Sequence, residues 1–410
     1  MKESFDVAGL PTTWGYPQLK GNVATRHAAA VQKLVDAGAI VFGKTNVPVA
    51  LADWQTFNPV YGTTNNPWDL ARVPGGSSGG SAAALAAGFT ALELGSDIGA
   101  SIRNPAHYCG VYGHKPTWGV VPMQGHELPG LACADTVDIG VGGPMARSAV
   151  DLQLAMDVLA APPRSFGPQG AHRTVWRDAG RPIERLRIAI VADDALARVE
   201  GAIVQRLHAL ADFLRSRVEK VELDRRPVDS AEARSVYLHL VRAATGAFLD
   251  DAAYEAARQE AAQLAADDLS YRACHYRGST LTHRDWFSFD QRRAGLRQQW
   301  DRFFEDFDLL VCPVATTVAF PHNQVGPRWE RMLDVDGVPQ ESTDSMFWAG
   351  YPGAVGLPAT AIPLGQDQRG LPFGAQVVGP ALADPLTLRF AEWLEREWYA
   401  FRSPQLRAAA

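Results

Sequence analysis

Short apolar runs alternate with amphipathic stretches along most of this chain, and that alternation constrains its architecture more than any single residue does. AIVF (39–42), FTALEL (89–94), RIAIVAD (187–193), VEKVEL (218–223) and DLLVCPV (308–314) have the composition of strands. Between them, Ala30, Val31, Leu34 and Val35 fall at helical spacing within 22–37, with Gly38 placed to end that helix. GAIVQRLHALADFLRSRV and the alanine-rich stretch 231–268 read as further helices, and GLPATAIPLG and GLPFGAQVVG as two paired strands. Strands interleaved with helices predict a layered α/β/α fold around a large mixed β-sheet, with a helical section inserted in its second half. The chain reads as one domain, 1–410: a core at 1–160, a Pro-, Gly- and Arg-rich linker-like segment at 161–184, a largely helical section at 185–306, and completing strands at 307–410.

Charge and cysteine usage exclude several function classes. The net charge is −6, and no basic stripe exceeds Arg292-Arg293 with Arg297, which argues against nucleic acid as a partner. The four cysteines, Cys109, Cys133, Cys274 and Cys312, lie far apart without C-x-x-C spacing, so they read as reduced thiols rather than a metal site or a disulfide frame. The start MKESFDVAGLP lacks the apolar core of a secretory signal, and no apolar run reaches the roughly 18 residues of a membrane helix. A cytoplasmic protein without a membrane partner is expected, with a homodimer left open.

Three local patterns compete to carry chemistry. GAIVFGKT (38–45) matches the phosphate-binding string G-x-x-x-x-G-K-[ST], but Ala-Ile-Val-Phe suits a strand interior, and Pro48 interrupts the helix that should follow. GGSSG (75–79) fits the G-x-S-x-G nucleophile elbow, and His275, His283 and His322 lie downstream; Pro74 nevertheless breaks the strand that should lead into it. The third pattern pairs that serine loop with GSDIGASIRNP (95–105). Its small residues let the amides of Ile98, Gly99, Ala100 and Ser101 turn into one concavity, a nest suited to an oxyanion. The plainer alternative is an Asp97–Arg103 pair that merely holds a glycine-rich loop.

Taken together, GGSSGGSAAALAAG, LGSDIGASIRNPAHYCGVYGHKPTWG, GKTNVP, GTTNNPWD, FDLLVCP and GLPFGAQVVG resemble the amidase signature family of serine amidohydrolases. The resemblance implies the family's α/β fold and hydrolysis of a carboxylic amide through a Ser–cis-Ser–Lys triad, with water as co-substrate and no metal or cofactor. On this resemblance Ser101 is the nucleophile and Ser77 relays its proton, following a cis peptide at Gly76–Ser77. Ser78, Asp97 and Arg103 support the loops. Six lysines are candidates for the base (Lys2, Lys20, Lys33, Lys44, Lys115 and Lys220). The family's K-[DE]-x-[IF] stretch before AG-x-x-TT matches Lys2-Glu3-Ser4-Phe5 before Ala8-Gly9-Leu10-Pro11-Thr12-Thr13, which makes Lys2 the base. Such a lysine must be neutral to accept a proton, so burial is expected to lower its pKa.

Two departures from the family pattern are visible. Family members carry several tens of residues ahead of this lysine, so an N-terminal truncation is expected, with the strand beneath Lys2 frayed at its edge and a positive α-amino group beside it. Ala100 stands where the family mostly has glycine, and a methyl group there suits a negative φ. Two alternatives accompany the amidase reading: a weak or inactive truncated homologue, and an ester-preferring hydrolase or amidotransferase subunit. The helical stretch 231–300 and the aromatic-rich segments around Trp286 and Phe347-Trp348 are expected to line the acyl pocket, favouring an apolar or aromatic acyl group.

Overall fold

A computed structural model describes residues 1–130, 137–160, 176–177 and 180–405. The linker-like segment at 161–184 and Cys133 therefore fall largely or wholly outside the described residues. Eight strands form the main sheet: β1 (Leu92–Asp97), β2 (Tyr112–Lys115), β3 (Val141–Ala146), β4 (Arg187–Ile190), β5 (Lys220–Leu223), β6 (Leu309–Pro313), β7 (Ala359–Gln366) and β8 (Pro372–Val378). Their spatial order is β1-β3-β2-β7-β8-β6-β4-β5. Pairing is antiparallel from β1 through β6 and parallel from β6 to β5, so the sheet is mixed. GLPATAIPLG and GLPFGAQVVG do pair, as β7 and β8, with Ala359 opposite Val378.

Successive residues of a strand face opposite sides, and both sides here are covered. Met145 and Ala361 pack among Ala82 and Leu85 of α2 (Gly79–Ala86) and Ala106 of α3 (Arg103–Cys109). Their neighbours Ala146 and Ile362 pack instead in the larger core with Leu152 of α4 (Ala149–Leu159) and Leu386 and Phe390 of the last helix (Asp384–Glu397). α2 contains only small residues and one leucine and is buried along nearly its whole length. Gly110, at φ +68, ends α3 in the left-handed conformation that glycine adopts without penalty.

The helical section packs into the same core, with Val236, Tyr237, Leu296 and Trp300 beside sheet residues such as Leu310 and Val377. It comprises α6 (Ser230–Gly246), α7 (Asp251–Gln263), α8 (Tyr271–Ser279) and α9 (His283–Asp306), which follow α5 (Gly201–Leu214). Side chains at their entrances accept the first free amides: Asp229 from Glu232, Asp250 from Ala253, Ser270 from Ala273 and Thr282 from Asp285. α6 is the hub, contacting α8, α9 and the buried helix α10 (Met346–Gly353).

Three sequence expectations are corrected here. AIVF is not a strand: the run is irregular, with Ile40 87% and Phe42 76% exposed, because only Thr45 finds a bridge partner, in Lys2. The helix expected within 22–37 is α1, Ala29–Asp36 alone. FTALEL is displaced: β1 begins at Leu92 and runs through Gly95, Ser96 and Asp97, the first part of the predicted polar loop. Ser96 and Asp97 are tolerated there because their side chains are satisfied by Lys2 and Arg103, partners that strand periodicity does not register.

Candidate active site

Lys2 is wholly buried at the edge of β1. Its amide donates to the Leu94 carbonyl (3.0 Å), and the Glu3 amide donates to the Thr45 carbonyl (3.0 Å). The strand edge is therefore secured on both sides rather than frayed, and the α-amino group of Met1 pairs with Glu93 at 2.9 Å. Glu3 ties the same stretch to the Trp14 loop, accepting from the Thr13 and Trp14 amides at 2.5 and 3.0 Å. From this anchor Lys2 Nζ reaches Ser77 Oγ at 2.6 Å, Ser96 Oγ at 2.9 Å and the Ser96 carbonyl at 3.3 Å. Burial lowers the Lys2 pKa from 10.5 to about 7, and the negative charge of Asp97 opposes that change.

Ser77 follows a cis peptide at Gly76–Ser77. The glycines ahead of it allow close approach: a side chain on Gly76 would collide with the Asp53 carbonyl, and one on Gly75, at φ +85, would lie 2.7 Å from Asn104 and Pro105. The Ser78 amide donates to the Ser101 carbonyl (3.1 Å), which holds the two serine loops side by side. Ser77 and Ser101 line one cavity of about 300 Å³. No hydrogen bond joins their hydroxyls, so the structure links Lys2 to Ser77 directly and sets Ser101 beside them in the same cavity. Ser78 is buried with its hydroxyl 3.4 Å from both the Ser96 amide and carbonyl, and no histidine among the described residues bonds to it.

The Ser101 loop is clamped from below. Arg103 donates from Nε and Nη2 to the two oxygens of Asp97 (3.0 and 2.9 Å), and both side chains are buried. Burial alone would raise the Asp97 pKa; the Arg103 charge and hydrogen bonds overcome it and hold the carboxyl below its usual range. Arg103 also donates to Gln376 of β8 (2.8 Å) and to the Ala349 carbonyl of α10 (3.1 Å). From above, Trp54 Nε1 donates to the Gly99 carbonyl (2.8 Å) and the Tyr237 hydroxyl of α6 to the Ile98 carbonyl (3.0 Å). These grips leave the amides of Ile98, Gly99 and Ser101 without an acceptor among the described residues. The Ala100 amide is different: it donates to Asp97 Oδ1 at 2.9 Å. Ala100 also adopts φ +63 rather than the negative φ expected of an alanine, held there by that bond and by the amide of Ile102 on Asp97 Oδ2 (3.1 Å).

A family model described as Amidase matches residues 1–388. The chain belongs to the amidase signature family. Among curated proteins it is 30% identical to a subunit of the glutamyl-tRNA(Gln) amidotransferase of Trichodesmium erythraeum, over 99% of this chain and 85% of that one. It is 31% identical to an acylamidase of Rhodococcus erythropolis, over 97% and 81%. Among solved structures, the fold matches the corresponding glutamyl-tRNA(Gln) amidotransferase subunit from Thermotoga maritima with a TM-score of 0.77 at 24% identity, covering 99% of this chain and 85% of that one.

Several residues of this family member's site escaped the sequence reading. His126 bonds to Ser96 Oγ and Ser4 Oγ, each at 2.9 Å, and so belongs to the Lys2 network; burial and then the Lys2 charge lower its pKa to about 3. Gln376, Tyr237 and Trp54 hold the 97–103 loop from far along the chain. Of these, only Gln376 carried a local signal, as a polar residue inside an otherwise apolar strand. The expected aromatic lining is corrected: Phe347 and Trp348 are core residues, with Trp348 Nε1 donating to the Ala197 carbonyl (3.0 Å), and neither they nor Trp286 reach the cavity. Trp14, Trp54, Phe248 and Phe320 line it instead. Lys44 of the phosphate-loop string is also accounted for. It donates to the Pro11 carbonyl and to Thr12 Oγ1 (2.9 Å), closing the loop after Glu3.

Proposed function

We propose that the protein hydrolyses a carboxylic amide through an acyl-enzyme on Ser101, with Ser77 as relay and Lys2 as base. The observation that carries this reading is the 2.6 Å contact between a buried, depressed-pKa lysine and Ser77, in a cavity shared with Ser101. A neutral Lys2 amine directs its two N–H groups to Ser96 and its lone pair to the Ser77 hydroxyl. Rotation of the Ser101 hydroxyl toward Ser77 completes the path, as active-site hydrogen bonds commonly tighten only when substrate binds. Ser101 Oγ then attacks the amide carbon while its proton moves to Ser77 and that of Ser77 to Lys2.

The negative charge on the carbonyl oxygen is received by the amides of Ile98, Gly99 and Ser101. Losing one such donor typically costs about 10²–10³ in rate. Ala100 is omitted from this set because its amide is already committed to Asp97. Return of the proton through Ser77 releases the amine, and water, deprotonated along the same path, cleaves the ester and restores Ser101. Ser78, Asp97 and Arg103 position the loops. Buried, unpaired Cys109, Cys274 and Cys312 support a reducing, cytoplasmic setting.

Intact-mass analysis after treatment with a fluorophosphonate tests the assignment. One adduct should map to Ser101, vanish in Ser101→Ala and persist in Ser78→Ala. An adduct on Ser78 that depends on a histidine would instead indicate a nucleophile elbow, and a folded but unlabelled protein an inactive homologue. The likeness to amidotransferase subunits supports a second reading, in which this chain is the amide-cleaving component of such an assembly. That reading predicts a stable complex with a further protein chain when the protein is isolated from its own cells.

A further inference from the structure

A second group of polar side chains lines the cavity, from α6, α8 and the segment around Arg328. One face of α6 turns Val241, Arg242, Thr245 and Gly246 into it. Arg242 is buried, and its Nη2 donates to the Tyr271 hydroxyl at 2.5 Å, with the guanidinium carbon 5.3 Å from the Tyr271 ring centre. Its Nε is buried with no acceptor among the described residues. Arg328, half-buried, lines the same wall. No carboxylate among the described residues forms an ion pair with either arginine.

The acidic side chains that do line the cavity are already committed. Asp53 receives Arg331 at 2.6 Å, and Asp97 receives Arg103. His275 lies against Arg242 and Arg328; burial, and then their charges, hold its imidazole neutral, with a pKa of about 3. Its Nδ1 is buried without a partner among the described residues. Buried cations are normally paired, and removing one from water without compensation is costly. Among the described residues, this wall therefore carries two uncompensated positive charges facing a space that holds substrate.

We propose that the substrate is an anionic amide, whose carboxylate docks on Arg242 and Arg328 while its carbonyl meets Ser101. The inference rests on the acyl-enzyme reading above and adds the substrate class to it. The helix supplies the scale. Tyr237 grips the carbonyl of Ile98, and Arg242 lies five residues further along α6, a rise of roughly 7.5 Å. With the arginine side chain reaching towards it, a carboxylate about four to six bonds from the scissile carbonyl closes that interval. The carboxylate sits on either the acyl or the amine side of the bond, and paired substrates separate the two.

The test compares the glutaric monoamide of 4-nitroaniline with the neutral pentanoic amide, alongside a second pair carrying the carboxylate on the amine side. A hydrogen-bonded ion pair in this setting should favour one anionic member by on the order of ten- to a hundred-fold in kcat/KM. In Arg328→Gln that ratio should collapse towards one, a measure that general damage to the enzyme does not imitate. Free glutarate should bind the Ser101→Ala protein, release with added salt, and bind Arg328→Gln/Ser101→Ala at least about tenfold more weakly.

Ratios near one in both pairs, together with no glutarate binding, would overturn the proposal. If Ser101 is still labelled by a fluorophosphonate under those results, amide hydrolysis stands and only the anionic substrate falls. If glutarate binds through Arg328 but Ser101 is never labelled, the recognition wall stands and the acyl-enzyme falls. Arg242→Gln repeats the ratio measurement at the buried arginine, and the half-buried Arg328 keeps the test decisive should that variant fail to fold.

Discussion

Replacing Lys2 with methionine removes the proposed acceptor of the Ser77 proton, and its depressed pKa sets the pH at which the loss should be felt. A lysine of ordinary pKa, near 10.4, is neutral in about one molecule in 2,500 at pH 7. Burial brings Lys2 to about 7, so about half of the molecules hold the neutral amine there, roughly a 10³-fold gain in competent enzyme. The rate of Ser101 acylation by a fluorophosphonate, followed by intact mass, should climb about tenfold per pH unit below pH 7 and level off above it. Lys2→Met should slow the reaction by about 10²–10⁴ and abolish the break. His126, held near 3, cannot supply a break at pH 7. Lys115 also lies near 7, but its Nζ bonds to the Pro116 carbonyl rather than to a serine, so the break should survive Lys115→Met. A rate that keeps rising to pH 10, or a break that persists in Lys2→Met, would refute the relay.

Lys115 offers a test of stability rather than rate. Burial, with Arg103 nearby, lowers its folded pKa from 10.5 to about 7. Between those values the unfolded chain binds a proton that the folded one does not, so Lys115 makes stability rise with pH across the window, and the contribution is lost as pH falls to 7. Denaturant unfolding at pH 7 and pH 10 should show a smaller pH difference in Lys115→Met. Asp97→Asn leaves the Arg103 guanidinium buried without its counter-charge and should cost about 3–5 kcal/mol of unfolding free energy, with loss of Ser101 labelling. At Ala100, which already carries the left-handed strain of φ +63, valine's β-branched side chain should lower unfolding stability further, whereas Ala100→Gly should relieve that strain and retain labelling.

What could be read from the sequence was local. KESF ahead of the Thr12-Thr13 pair, the serine loop at 75–79 and the Ser101 loop are short strings whose backbone demands are built into their own glycines and small residues. It was their resemblance to the amidase signature strings that brought Lys2, Ser77 and Ser101 onto one list; in the structure Ser77 and Ser101 line one cavity, and Lys2 bonds to Ser77. The order of the strands was far less legible, because β1 pairs with β3 and β7 with β2 through partners chosen across long intervals. AIVF has strand composition but no neighbour to pair with among the described residues, and composition cannot report that absence. Gln376 and Arg103, or Tyr237 and Ile98, meet over more than a hundred residues, so neither partner's local sequence announces the other. The Ala100 amide fell outside the donor set for the same reason: its acceptor is fixed by how Asp97 is clamped, not by the small residues around it.

The cavity draws its lining from different stretches of chain. Ser77 and the 97–103 loop, with Lys2 bonded to Ser77, carry the proposed reacting groups, while α6 and the segment around Arg328 supply other lining, and the Tyr237 hydroxyl ties α6 to the Ile98 carbonyl. Such a division makes the wall an exchangeable part. Residues 241, 242, 245 and 328 can be randomised as a library with the proton path left untouched, and variants that accept a new acyl or amine group can be selected against a constant chemical background. Tyr237 is the position to hold fixed in that library, since its hydroxyl ties α6 to the Ile98 carbonyl beside Ser101.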